Sequence, residues 1–272
     1  MPFTEHNVNG LIFDTADVLS LGGVRHAFTT RHGGVSGAPF DSLNFADNRG
    51  DSSEHLLENY RRLGAAVGFD ASRAVGCRQF HSDLVRVARA EHAGKILWND
   101  RPYDADALIT DEPDLPLFAY GSDCCILALY DPTARCIGAV HAGWRGTADG
   151  VVLKTAAAMM RRYGAEPRTL RAAIGPAIGK CCFEVDGDVA DAFFSLLDPA
   201  IDERIERRGD KFHIDLKGIN RLWLLRAGLD PAHIDVHPDC TKCRPDRYWS
   251  HRAMGERRGG MAAVVCMTEE PL

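Results

Sequence analysis

The sequence contains no uninterrupted apolar stretch of the ~18 residues that a membrane-spanning helix needs, although 45% of its 272 residues are hydrophobic. The N-terminal segment, MPFTEHNVNG, has neither a basic start nor an apolar core, so we expect no signal peptide. Acidic residues outnumber basic ones by 38 to 32, and the net charge of −6 is not typical of a nucleic-acid-binding protein. We therefore expect a cytoplasmic protein whose partners include neither a membrane nor a nucleic acid.

Internal repeats, low-complexity tracts and linkers rich in proline or serine are absent as well. We therefore predict one domain over residues 1–272, which is long enough to bury a sizeable core. Apolar periodicity predicts strands and helices that are interspersed without a regular βαβ repeat. The predicted strands are residues 11–13, 24–29, 84–89, 107–110, 126–130, 137–140, 170–174 and 261–265, and the predicted helices are 53–68, 150–163, 185–197 and 216–227.

The nine cysteines do not indicate a disulfide framework, because their number is odd and two pairs, Cys124 with Cys125 and Cys181 with Cys182, are adjacent in the chain. In a reducing compartment they are expected to be thiols or metal ligands. Apolar neighbours predict that Cys181 and Cys182 pack beside the active site.

Cys240 and Cys243 form a C-x2-C motif, but no second pair follows it downstream. A structural zinc ion would need two more ligands. We therefore predict that the two cysteines are structural and bind no metal. A zinc site remains an alternative, with His237 and His251 as nearby candidate ligands.

The segment with the most chemistry-bearing residues is 122–146, SDCCILALYDPTARCIGAVHAGWRG. Its two apolar runs are joined by a turn, which predicts an antiparallel pair of strands with Cys124 and His141 at the same end. His81, in RQFHSD, precedes another predicted strand and adds a second imidazole. Two imidazoles and one thiolate suit a zinc ion with an open fourth position. From spacing alone, a buried cysteine and two structural histidines remain the alternative.

Several motifs together resemble the bacterial laccase-domain family, which is also called the multicopper polyphenol oxidase or purine nucleoside phosphorylase family. They extend from residue 24 to residue 265 and include RHGGVS, SLNFAD, QFHSD, DALIT, SDC, VHAGWRG, IGPAIGKCCFEV and CT…YWSHR. The resemblance places the family's metal ligands on His81, Cys124 and His141, and we expect one zinc ion per chain. It implies an α+β fold, a single domain with two central mixed sheets flanked by helices in α/β/β/α layers.

The activity implied by the resemblance is zinc-dependent phosphorolysis of adenosine, inosine, guanosine and methylthioadenosine, with adenosine deamination as a second reaction. The expected partners are a purine nucleoside and phosphate, and the expected assembly is a monomer or a weak homo-oligomer. Copper is a possible occupant of the same ligands in vitro, because Cu(II) binds most such sets more tightly than zinc.

Three other functions remain open at this point. A four-copper phenol oxidase would need many histidines, largely as H-x-H pairs, and the chain has 11 histidines and no such pair. A cysteine hydrolase could use Cys124 as the nucleophile and His141 as the base. A metal-binding protein without enzymatic activity is the third alternative.

Asp83 is our sequence-based candidate for a proton shuttle, because it lies two residues from His81 in a strand-like segment. Its structural alternative is to cap a turn or to hold the His81 ring in one tautomer.

The candidates for binding phosphate and ribose are four polar residues in the motifs of the family. Arg31 begins a glycine-rich loop that a phosphate can approach closely, and Asn44 can donate to a ribose hydroxyl or to phosphate. Arg61 and Arg145 are further candidate cations. The alternative for each arginine is a structural ion pair. Where the family commonly has an arginine before the last strand, this chain has Gly260, so Arg257 or Arg258 would have to replace it.

Overall fold

The computed structural model describes residues 2–269. The strands are β1 Phe3–Val8, β2 Leu11–Ala16, β3 Val24–Thr29, β4 Val85–Val87, β5 Ala107–Thr110, β6 Leu117–Gly121, β7 Cys125–Asp131, β8 Cys136–Ala142, β9 Arg171–Ile174, β10 Glu184–Val185, β11 Ile205–Arg208, β12 Lys211–Ile214, β13 Ile234–Val236 and β14 Met261–Met267. The helices are α1 Ser53–Val67, α2 Trp144–Ala148, α3 Val151–Tyr163, α4 Gly187–Phe194, α5 Pro199–Asp202, α6 Leu216–Arg226 and α7 His251–Met254.

Two large sheets form the centre of the molecule. The five-stranded sheet has the order β1-β2-β3-β14-β6, and all of its strand pairs are antiparallel. The six-stranded sheet has the order β13-β9-β7-β8-β5-β4 and is mixed, because its two outer pairs are parallel. A third, antiparallel sheet has the order β10-β12-β11 and was not expected from the sequence.

Alternation along β7 shows how the sheets are layered, because successive side chains of a strand point to opposite faces. Ile126 and Ala128 belong to the core between the two large sheets, together with Phe28 and Ala263. Leu127, on the other face, belongs to a core that it shares with residues of α3 and α6. Residues of α1 pack on the far side of the five-stranded sheet. The predicted α/β/β/α layers and the α+β class are therefore confirmed.

The predicted elements agree best where local signals are strong. Helix α1 begins after Ser52, whose hydroxyl accepts from the backbone N–H of His55, and ends at Gly68, whose φ of 92° is left-handed. The helix predicted over residues 185–197 was too long, because α4 covers only Gly187–Phe194. Strand β1 was not predicted, because its exposed FTEHNV sequence lacks apolar runs and its order comes from pairing with β2. Among the described residues, no helix is both long enough and apolar enough to span a membrane.

Candidate metal centre

Cys124 and His141 are brought together by the pairing of β7 with β8. Ile126 lies opposite His141 in this register, so Cys124 stands at the same end of the strand pair. His81 reaches the same point from the loop that precedes β4, with a left-handed φ of 66°. Its Nε2 lies 3.8 Å from the Cys124 Sγ, and one ligand atom from each of the three residues lies within 4.8 Å of the others. These are the three residues that the sequence indicated as metal ligands, and they could hold a metal ion.

Asp106, which directly precedes β5, binds the imidazole of His141 and the backbone of His81. Its buried carboxylate lies 2.7 Å from the His141 Nδ1 and accepts the backbone N–H of His81 at 3.1 Å. It also accepts the backbone N–H and the hydroxyl of Ser82, each at 2.6 Å. Because Nδ1 of His141 is bound by Asp106, Nε2 remains for a metal. Sequence reasoning gave Asp106 no role, although its motif, DALIT, was one of the segments that resemble the family.

Gly143, in the HAGWRG motif, leaves the space that the ligands occupy. A Cβ atom on this residue would lie 2.4 Å from Cδ2 of His81 and 3.4 Å from Sγ of Cys124. Its φ of −68° is ordinary for any residue, so the need for glycine here is steric and not conformational. Sequence reasoning missed this requirement, since the contact joins two segments that are remote in the chain.

The three candidate ligands polarise one another. Burial opposes ionisation of Cys124, but the charge of His141 and hydrogen bonds from both imidazoles outweigh it and lower the pKa of the thiol to about 6. Burial also opposes the charging of His141, but the Cys124 thiolate and Asp106 raise the pKa of that imidazole to about 9. The group therefore favours a thiolate, which is the form of cysteine that binds metals.

The three ligands line a cavity of about 140 Å³. Its other lining residues include aromatic side chains and three arginines. They are Phe45, Ala46, Asp47, Asn48, Arg49, Gln79, Trp98, Arg101, Tyr120, Gly121, Ser122, Arg258 and Gly260. The arrangement places cations and aromatic faces in the same cavity as the metal ligands.

The three arginines differ in how fully their guanidinium groups are occupied. Arg101 is buried, pairs with Asp47 at 2.9 Å and lies over the ring of Tyr120, so it has a structural role. Arg49 forms a 2.5 Å ion pair with Glu256, whose side chain is 75% exposed. Arg258 is only 6% exposed, and its buried Nε has no hydrogen-bond partner. Burial, and then the charge of Arg49, lower the pKa of Arg258 to about 10.

Arg258 is the arginine that lies near the position of Gly260. Gly260 itself packs against Ala46, where a Cβ atom would come within 3.0 Å of the Ala46 Cβ, and its N–H donates to Asn44. Arg258 lines the cavity, whereas Arg257 is exposed and does not. Of the two arginines that the sequence left open as replacements, Arg258 and not Arg257 borders the cavity.

Arg31 is not brought to the cavity. Its guanidinium donates to the carbonyl oxygen of Asp41 at 3.0 Å and to that of Pro245 at 2.9 Å. It also stacks on the ring of Trp249 at 3.9 Å. These contacts join the glycine-rich loop to the segment before α7, which is a structural use of the side chain.

Asn44 is fully buried beside the cavity but does not line it. Its amide donates to Asp51 at 2.8 Å, and its oxygen accepts from the N–H groups of Ala46 and Gly260. The contacts of Asn44 therefore shape the wall of the cavity from behind.

The remaining sequence-based candidates lie on other surfaces. The Asp83 carboxylate pairs with Lys154 of α3, and the ion pair with Lys154 lowers the pKa of Asp83. Arg61 is 67% exposed and pairs with Glu58 on α1. The Arg145 guanidinium lies 4.1 Å from the centre of the Trp144 ring and does not line the cavity.

Comparison with known proteins finds relatives that extend over most of the chain. A family model described as multi-copper polyphenol oxidoreductase laccase matches residues 25–268. Purine nucleoside phosphorylase YlmD from Geobacillus stearothermophilus is 36% identical over 246 residues, which cover 89% of each chain. Adenosine deaminase RL5, from an unknown prokaryotic organism, is 34% identical over 242 residues, or 86% of this chain and 90% of that one. The crystal structure of Bacillus licheniformis hypothetical protein YfiH has a TM-score of 0.91 and 30% identity, covering 98% of this chain and 99% of its own.

Proposed function

The chain belongs to the multi-copper polyphenol oxidoreductase laccase family, and on that premise we propose that it is a zinc-dependent purine nucleoside phosphorylase that also deaminates adenosine. The observation that carries the proposal is the convergence of His81, Cys124 and His141 on a cavity that also contains Arg258, a buried and incompletely paired cation. The names of the relatives support both reactions. The nucleosides we propose are adenosine, inosine, guanosine and methylthioadenosine.

Zinc fits the donor set. Two imidazoles and one thiolate are ligands that zinc accepts, and three protein ligands leave the fourth position that a catalytic site requires. When bound, zinc supplies a Lewis acid for an oxygen of phosphate or water. Asp106 contributes by fixing the His141 tautomer and the backbone of His81, so the ligands are oriented before the metal arrives.

Phosphate binding is proposed for Arg258, with Arg49 as its neighbour. Both residues line the cavity, and Nη1 of Arg258 makes only a long bond of 3.4 Å to the Gly259 carbonyl, so a phosphate oxygen would give this guanidinium a stronger acceptor. The Arg49 guanidinium is held by an exposed carboxylate of Glu256, a weak contact that an anion can replace. Arg31, the sequence-based candidate, has a full set of protein partners instead.

A purine ring is proposed to contact the aromatic part of the lining. Trp98 borders the cavity and is partly exposed, which makes its ring the candidate for contact with a planar base. Its backbone N–H donates to Asp47, which also pairs with Arg101. This contact holds the Trp98 segment at the cavity.

All nine cysteines are free thiols, which agrees with the cytoplasm as the proposed compartment.

The test is an assay of the purified protein with adenosine in phosphate buffer and in an inert buffer. We expect adenine and ribose 1-phosphate only with phosphate, and inosine in both buffers. Cys124→Ala and His141→Ala should abolish both reactions, whereas Cys266→Ala, a change at a buried cysteine of β14, should preserve them. Equal release of adenine without phosphate would show that the protein is a hydrolase.

A cysteine hydrolase is the second candidate, because His141 lowers the pKa of the Cys124 thiol to about 6. Such an enzyme would use the thiolate as a nucleophile, and a metal would inhibit it. Activity that increases on treatment with a chelator would therefore favour the hydrolase. A four-copper oxidase is not supported by the ligands: within residues 2–269, two groups of side chains are close enough to hold a metal, and one of them contains histidine.

A further inference from the structure

Four cysteines that the proposed reaction does not use converge at a second point. Cys181 and Cys182 follow β9, and Cys240 and Cys243 follow β13. Their four Sγ atoms lie within 4.8 Å of one another. The Cys243 Sγ is 3.7 Å from that of Cys181 and 3.4 Å from that of Cys182. The pair that the C-x2-C motif lacks downstream is therefore supplied from upstream, so the reason for predicting that Cys240 and Cys243 bind no metal does not hold.

The distances between the sulfur atoms fit one tetrahedral metal ion. A Zn–S bond of about 2.3 Å places the sulfurs of a four-cysteine site about 3.8 Å apart. The two contacts of Cys243, at 3.7 and 3.4 Å, are close to that spacing and far from the ~2.0 Å of a disulfide. All four cysteines are free thiols. The set is complete without an open position, which is the pattern of a structural zinc site.

One backbone N–H group is placed to stabilise a thiolate at Cys240. The N–H of Gly179 donates to the Cys240 Sγ at 3.2 Å, a bond that stabilises negative charge on sulfur. A Cβ atom on Gly179 would lie 3.2 Å from the Cys181 Sγ, so glycine keeps this approach open. Two cations that neighbour the cysteines in the sequence have carboxylate partners, since Lys180 pairs with Glu206 at 3.6 Å and Arg244 pairs with Asp239 at 3.3 Å.

The two histidines that the sequence left as possible ligands have other partners. Nε2 of His237 lies 3.4 Å from the Asp14 carboxylate, and its Nδ1 accepts the N–H of Asp239. His251 is exposed and pairs with Glu256. The ligand set is therefore four cysteines and includes no histidine.

We propose that Cys181, Cys182, Cys240 and Cys243 bind a second, structural zinc ion. The ion would join the loop after β9 to the segment after β13, which already meet where the N–H of Thr241 donates to the carbonyl of Ala177. Both segments hold the residue before the active-site thiol: Ile178 donates its N–H to the Asp123 carbonyl, and Thr241 donates its hydroxyl to the Asp123 carboxylate at 2.6 Å. The second zinc would thus stabilise the two segments that hold Asp123, the residue next to Cys124.

Metal content measured on the purified full-length protein tests this proposal. We expect two zinc ions per chain in the wild type and one in Cys243→Ser, whose site is exposed and therefore tolerant of substitution. Cys243→His should restore the second ion, because three cysteines with one histidine are also a structural zinc set. Cys266→Ser, at a buried cysteine outside both clusters, should retain two ions.

Cobalt substitution assigns each ion to its ligands. In Cys124→Ala, cobalt should show the thiolate charge-transfer absorption of a four-sulfur site, and Cys243→Ser should retain only the weaker absorption of one thiolate. The Tm of Cys243→Ser should be lower than that of the wild type. A chelator should lower the Tm of the wild type more than that of Cys243→Ser. One zinc per chain in the wild type that Cys243→Ser retains, a disulfide between the two pairs, or two ions in Cys243→Ser would overturn the proposal. A single zinc that Cys243→Ser loses would support this site and contradict the metal site of the proposed function. The zinc content of Cys124→Ala reports on the ion held by His81, Cys124 and His141. It therefore tests the proposed function and not the four-cysteine site.

Discussion

The Asp106 carboxylate lies 2.7 Å from Nδ1 of His141, and both side chains are buried. The contact leaves the opposite ring nitrogen for a metal and connects a residue at the start of β5 to one near the end of β8. Burial opposes the charge of Asp106, but the hydrogen bond and charge of His141 outweigh it and lower the pKa of this carboxyl below its usual value. The contact with His141 therefore favours the ionised form of this carboxyl.

Asp106→Asn should weaken metal binding by roughly 10- to 100-fold, as is typical when the partner of a metal-binding histidine is changed. The amide NH2 would face either the donors of Ser82 at one oxygen or the His81 N–H at the other, and each of these donors requires an acceptor. Competition with a chelator measures the affinity. Asp83→Asn is the matched control, because that carboxylate pairs with Lys154 on the surface. Equal affinities of the wild type and Asp106→Asn would contradict the role of Asp106.

Arg258→Lys should raise the apparent KM for phosphate by roughly 10- to 150-fold, since a hydrogen bond to a charged group is worth ~1.5–3 kcal/mol and lysine cannot reproduce the guanidinium fork. Deamination, which uses water, should be less affected. Both rates are to be measured on one preparation across a phosphate titration.

Arg31→Lys provides the comparison for Arg258. Lysine would lose the bonds of Arg31 to two carbonyl oxygens and its stacking on Trp249, so we expect a lower Tm. Because these contacts lie away from the cavity, we expect an unchanged ratio of phosphorolysis to deamination. A selective rise in the phosphate KM of Arg31→Lys, with none in Arg258→Lys, would restore the hypothesis based on sequence alone.

Gly143→Ala should displace the His81 ring and reduce the metal content of the active site, because the added Cβ would lie 2.4 Å from Cδ2 of His81. Gly37→Ala is the control, since no atom lies within 4 Å of a Cβ built there. The measurement is zinc per chain after dialysis, together with far-ultraviolet circular dichroism to show that both variants fold. Normal zinc content in Gly143→Ala would mean that the strand end shifts to accept the methyl group.

His26 should make the protein less stable in mild acid. Burial lowers the pKa of His26 to about 4, and its Nε2 accepts the N–H of Ala16 at 2.8 Å, which requires the neutral ring. Because the unfolded pKa is ~6.5, this contribution is complete above that pH and is lost as the pH falls toward 4. Between pH 7 and 5 the loss is about 2 kcal/mol.

Urea unfolding at pH 7 and pH 5 tests the role of His26. His26→Gln retains an acceptor for Ala16 but does not titrate, so its free energy of unfolding should fall by about 2 kcal/mol less than that of the wild type over this interval. An equal fall in both proteins would place the acid sensitivity in other groups.

Local patterns in the sequence predicted a large part of the fold, and the resemblance to the laccase-domain family placed the candidate metal ligands on His81, Cys124 and His141. The apolar runs around the DPT turn predicted the β7–β8 pair, and that pair places Cys124 beside His141. Ser52 and Gly68 delimited α1, because capping depends on residues close in the chain. Periodicity and capping depend on residues close together in the chain, so a single sequence is enough to predict them.

The tertiary structure decided which polar groups face the cavity and which are occupied elsewhere. Asn44 and Arg31 had suitable chemistry and glycine-rich or polar neighbours, yet contacts with remote residues satisfy their hydrogen bonds. Arg258 enters the cavity with an unpaired nitrogen, and Asp106 meets His141 across 35 residues of chain. Cys243 meets Cys181 across 62 residues. These meetings follow from sheet order and from the packing of distant segments, and no local pattern specifies which partner a polar side chain finds.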